Sequence, residues 1–137
     1  MNRREIIVAA AVAAVAGTAI AAPGKEGSAV VEACYACMKT GELCLAMCND
    51  MLGHGMTKLA DCQKRVADML TLCEAMGTMA ARSTAPTARL RALATMCADT
   101  CRDCEKACRP NTDMAECKAC MEDAVKCAKA CDAFAKA

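Results

Sequence analysis

Aromatic residues are almost missing from this chain: it has no Trp, and Tyr35 and Phe134 are the only residues of their types among 137. A domain of this size ordinarily buries several large rings, so the interior must be built from something else. Base chemistry is equally scarce, because His54 is the one histidine. No nucleophile–base pair is evident and no C-x-x-C sits at a thioredoxin-like strand–helix junction, so an enzyme is not the expected reading. Runs of β-branched residues are absent outside the first 22 residues, which removes the usual material of strands. What stands in their place is sulfur, with 14 Cys and 11 Met.

The first 22 residues, MNRREIIVAAAVAAVAGTAIAA, are set apart from the fold. Basic residues precede an apolar run from Ile6, and an Ala-x-Ala ends at Ala21. That is the pattern of a signal peptide over residues 1–21, cut near Ala21/Ala22, so an exported, periplasmic protein is expected. The adjacent Arg3 and Arg4 point to the twin-arginine route, with ordinary Sec export and two chance arginines as the alternative. Twin-arginine cargo folds in the reducing cytoplasm, so thiols can be buried or metal-bound before they meet an oxidising compartment.

Arg3, Arg4 and Glu5 account for the leader's charges, and what remains of the 17 Lys+Arg and 16 Asp+Glu balances to a formal charge of zero. No basic stripe for nucleic acid and no charged tail is present. No second apolar segment is long enough to span a bilayer, so the mature chain is expected to be soluble.

Breakers divide residues 22–137 into four helix-length segments. The first runs from about Ser28 to Asp50 and stops at LGHG, where Gly53 and Gly55 end the pattern. The second covers about Thr57 to Arg82, and the third begins near Thr87 and ends before Pro110. Asp113 and Glu116, spaced as a capping box, open the fourth. Ala, Leu, Met, Lys, Glu and Arg dominate between the breakers, and all are good helix formers. Short connections make neighbours antiparallel, so the spacing predicts an all-α, antiparallel up-down four-helix bundle.

The first and fourth segments repeat one another. CYACMKTGELCLAMC (34–48) aligns without a gap to CKACMEDAVKCAKAC (117–131). All four cysteines coincide, and the vacant heptad slot is small in both, Gly41 and Ala124. On an ideal helix Cys97, Cys101, Cys104 and Cys108 fall within an arc of about 60°. Cys34, Cys37, Cys44 and Cys48 span about 80°, as do Cys117, Cys120, Cys127 and Cys131. Cys62 and Cys73 lie about 20° apart. Every cysteine therefore sits on one stripe per helix, with charged residues such as Asp99, Arg102, Asp103 and Lys106 on the other faces. Four such stripes facing one axis make a tube lined with thiols.

A disulfide framework is the default for an exported chain with an even cysteine count. Within a helix it does not fit, because Cβ atoms at i,i+3 and i,i+4 stand about 5–6 Å apart and a disulfide wants about 3.5–4.5 Å. Cross-helix disulfides remain open. A metal bridging two thiolates tolerates the wider gap. A zinc ion in four thiolates leaves two negative charges to bury at each site, and iron–sulfur spacings are not present. Thiolate and thioether ligands together favour Cu(I), and one Cu(I) per thiolate is neutral. Many ligands with no open catalytic position suit sequestration.

The chain resembles the bacterial copper storage proteins over essentially all of its mature length, most specifically in CMKTGELCLAMC, CADTCRDCEKAC and CKACMEDAVKCAKAC. The resemblance implies a four-helix bundle whose core cysteines hold many Cu(I) ions, here about one per Cys. Exported members are held to keep copper for cuproenzymes outside the cytoplasm. It further implies thiolate pairs at Cys44 with Cys48, Cys97 with Cys101, Cys104 with Cys108, and Cys127 with Cys131. Histidine and methionine at an open end of the family's bundle correspond here to His54, Met47, Met51 and Met56. A copper chaperone or cuproenzyme recipient is the implied partner, and a homo-oligomer is compatible.

The antiparallel path independently gives the bundle a polarity. The 1–2 and 3–4 connections share one end, near Cys48, Cys62, Cys108 and Cys117. The opposite end carries Val30, Met76, Leu90, Leu93 and Phe134, an expected apolar plug. Met38, Met69, Met96 and Met121 are expected to pack in the core as hydrophobes.

Overall fold

A computed structural model of the chain describes residues 24–83 and 86–137. The expected signal peptide, residues 1–21, lies outside the described residues. Four helices and no strands form among the described residues: α1 (Lys25–Gly53), α2 (Ala60–Arg82), α3 (Ala88–Cys108) and α4 (Ala115–Lys136). Each helix packs on two neighbours, α1 and α3 both lying against α2 and α4. The expected up-down bundle is what forms.

The inward stripe alternates steps of four and three on every helix, as left-handed bundle packing requires. On α1 it reads Val30, Cys34, Cys37, Gly41, Cys44, Cys48, all buried. On α2 it reads Cys62, Val66, Met69, Cys73, Met76, Ala80. On α4 it reads Cys117, Cys120, Ala124, Cys127, Cys131, Phe134. On α3 the stripe is Leu90, Ala94, Cys97, Cys101, Cys104, Cys108. Ala94 therefore takes the place expected for Leu93, which is only half-buried against the core; a step of four from Leu90 keeps the seam, and a step of three leaves it.

Local chemistry sets the helix ends. Thr87 caps α3, its hydroxyl accepting from the Leu90 amide at 3.2 Å. α1 closes in a Schellman motif: Met56 N–H donates to Met51 C=O at 3.0 Å and Gly55 N–H to Leu52 C=O at 3.0 Å. Gly55 has φ +86°, the left-handed conformation that lets the chain turn here. A 3₁₀ turn, Thr57–Leu59, precedes α2, so that helix begins later than Thr57. The expected capping box does not form. Another 3₁₀ turn, Arg109–Asn111, carries the chain out of α3, and α4 begins after Met114 with no side-chain cap. Asp113 instead places its carboxylate 4.0 Å from Lys58 Nζ. That contact joins the two connections and confirms that they share one end.

At the far end Val30, Met76, Ala80, Leu90 and Phe134 are all buried. This is the apolar plug. No helix among the described residues is long and apolar enough to cross a membrane.

Candidate metal centre

All fourteen cysteines are free and buried. None exposes more than 1 % of its surface. The cross-helix disulfides left open above are thus not formed; the shortest thiol pair, Cys62 and Cys108, stands at 3.1 Å, against about 2.0 Å for a bond.

The sulfurs gather in two groups along the axis. Toward the plug, Cys34, Cys73, Cys97 and Cys127 lie within 4.8 Å of one another, and so do Cys37, Cys73, Cys101 and Cys127. Cys73 is the hub, 3.7 Å from Cys127 and 3.9 Å from each of Cys97 and Cys101. Cys131 joins this group through Cys127, Cys34 and Cys97. Toward the connections, Cys44, Cys48, Cys62 and Cys117 form one set and Cys44, Cys108 and Cys120 another. Cys104 completes the second group, 3.8 Å from Cys120 and 3.9 Å from Cys108. None of these contacts crosses from one group to the other.

Antiparallel repeats explain the division. Because α1 and α4 run in opposite directions, the turns that carry their matching small residues lie side by side near mid-height, where Thr40 Oγ1 donates to Asp123 Oδ2 at 3.0 Å. Gly41 and Ala124 thus interrupt two thiol ladders at one level. On α2 the same level is held by Val66 and Met69, so only α3 carries consecutive stripe cysteines through the waist. The space at Gly41 is filled by side chains: a Cβ there would lie 2.8 Å from Leu70 Cδ2 and 2.9 Å from Met69 Cε. Gly77 serves close approach too, a Cβ there lying 3.0 Å from Cys34 Cβ.

These spacings suit metal binding. A trigonal ion with metal–sulfur bonds of about 2.3 Å holds its sulfurs about 4 Å apart, and a linear one about 4.6 Å. Proton positions prepare some ligands. Hydrogen bonds with Cys108, then Cys120, draw the Cys104 thiol down to about 5, and Cys101 acts in the same direction on Cys97 and Cys127. Burial, then the charge of Cys44, pushes Cys48 and Cys117 up. The thiolate is the ligand, so binding an ion displaces the proton of each ligand cysteine that still carries one.

The expected mouth is closed. Leu59, on the 3₁₀ turn, is fully buried over this end. Asn111 is buried too, its side-chain amide donating to Ala107 C=O at 3.3 Å. The sequence reading singled out neither: Leu59 lies at the head of the segment expected from Thr57, and Asn111 lies between the third and fourth segments. Met47, Met51 and Met56 lie half-buried against the core, and the Schellman turn brings the backbones of the last two together. His54 is exposed, with Nδ1 2.8 Å from Asp50 C=O. A carbonyl only accepts, so Nδ1 is the donor in this contact, and Nε2 is the ring nitrogen left to meet a ligand. Of the other methionines, Met38 and Met121 are half-buried against the core and Met69 is fully buried. Met96 departs from expectation and is 58 % exposed; it lies on α3's outer face, one residue before the Cys97 stripe.

Replacing the lid side chain, Leu59→Ala, is expected to speed metal uptake several-fold while costing about 2–5 kcal/mol of apo stability. Anaerobic stopped-flow loading and a denaturant melt measure the two effects. An unchanged uptake rate would place the path elsewhere.

A family model described as copper storage protein matches residues 24–136. No curated protein matches the chain by sequence.

Proposed function

This chain belongs to the copper storage protein family, and on that premise we propose that it holds many Cu(I) ions, about one per cysteine, as thiolate complexes along the bundle axis. The observation that carries this reading is the sealed column of fourteen free thiols in overlapping sets. Cys73 and Cys127 belong to two sets and Cys44 to two others, so separate four-thiolate ions cannot close them all. Sharing suits an ion content with two or three sulfurs, and one Cu(I) per thiolate leaves little net charge in a dry core.

The role is sequestration, with no reaction catalysed. Every cysteine sulfur is withdrawn from solvent, and the one imidazole stands outside on the Schellman turn. Residues 1–21 export the protein, with Arg3 and Arg4 directing it to the twin-arginine route and the periplasm. There it supplies a chaperone or cuproenzyme, or limits copper toxicity. Ions pass His54, Met47, Met51 and Met56 on their way to the thiolates, the weaker ligands standing outermost.

Anaerobic titration with Cu(I) tests this reading. Thiols are counted in denaturant, because the native fold hides them. Fourteen reactive thiols and a saturating copper ratio of the same order are expected. Few free thiols, or saturation near one ion, would sink it.

A further inference from the structure

Resting on that reading, we propose that Met69 is a copper ligand within the core, sharing an ion with Cys37 at the waist between the two thiol groups. Cys37 donates its S–H to Met69 Sδ at 3.2 Å. A thioether only accepts, so a Met69 lone pair already faces Cys37. Copper binding removes the thiol proton: Cys37–SH and Cu(I) give Cys37–S–Cu and H⁺. The ion then occupies the place of the departed proton, between the same two sulfurs. Separation must grow from 3.2 Å toward the about 4.6 Å of a linear two-sulfur ion, within reach of an unbranched side chain with three rotatable bonds.

Position supports the assignment. Met69 lies on the α2 stripe, one turn before Cys73, and exposes none of its surface. Its methyl end fills the notch left by Gly41, which aims the side chain across the axis toward α1. α2 contributes only Cys62 and Cys73, one to each group, and Met69 supplies a sulfur between them. Cys37 belongs to the plug-side group with Cys73, Cys101 and Cys127. A site at Cys37 and Met69 therefore extends that group toward the other. One thiolate and one neutral thioether around Cu(I) carry no net charge, which suits a desolvated waist. Met76 offers the internal contrast. It is as deeply buried, yet it lies in the apolar plug and makes no sulfur hydrogen bond among the described residues.

Methyl-¹³C-methionine labelling of the whole protein tests the assignment. The Met69 resonance is the one missing from Met69→Leu, a swap that nearly conserves volume. On anaerobic Cu(I) loading the Met69 methyl is expected to shift well beyond Met76, and Met69→Leu to saturate about one ion lower. A Met69 resonance that moves no more than that of Met76 overturns the proposal, whatever the saturating ratio. Failure of the storage reading looks different: neither protein loads with more than about one ion, and both proposals fall together.

Discussion

Loading the protein with Cu(I) is expected to raise its thermal midpoint by about 20 °C or more. The apo core has little apolar bulk. Much of its stripe is cysteine, alanine and glycine, and apart from Leu59, Met69, Met76 and the two valines its largest fully buried side chains are cysteines. Each ion bound to the native state alone adds RT ln(1 + [L]/Kd), about 4 kcal/mol at a thousandfold excess over Kd. In a bundle of this size about 1 kcal/mol moves the midpoint by about 4 °C. Unfolded chains retain the C-x3-C pairs and compete for copper, which lowers the gain. The cross-helix sets have no such counterpart: Cys34 and Cys127 are 93 residues apart in sequence, so only the fold brings them together. Calorimetry of apo and loaded protein under argon measures the difference. A shift of only a few degrees would mean that copper binds the unfolded chain almost as well, and the preorganised sets would lose their energetic role.

The second large effect concerns capacity. Cys73→Ala is expected to lower the saturating copper ratio by about two ions, and Cys48→Ala by about one. Cys73 belongs to both plug-side sets and touches three other thiols; Cys48 belongs to one set at the far end. Neither change unfolds the bundle, since removing one buried sulfur costs about 1 kcal/mol. Anaerobic titration of the two variants beside the parent protein reads the ratios, and circular dichroism checks the helices. Equal losses would show that the ions bind as independent pairs and that the shared hub has no special part.

Which side chains point inward was legible from spacing alone. Steps of four and three place fourteen cysteines on four stripes, and no other face offers a comparable apolar seam. Where sequence reasoning slipped, the cause was local. Leu93 is apolar but one step off the seam, and Asp113 found Lys58 across a connection before it could cap α4. Met69 packs in the core as expected, but a single helix gives no view of the Cys37 thiol that its sulfur faces.

The sequence by itself determined the four helices, their antiparallel order and a core lined with soft ligands, because helix periodicity and breakers are local properties of the chain. Only the tertiary structure decided that the thiols divide into two groups, that Met69 meets Cys37, and that Leu59 and Asn111 close the end over Cys48 and Cys62. Each of these depends on the relative height and rotation of helices. Close contacts such as those at Gly41 and Gly77 set that register where two helices press together, and no residue pattern within one helix encodes it.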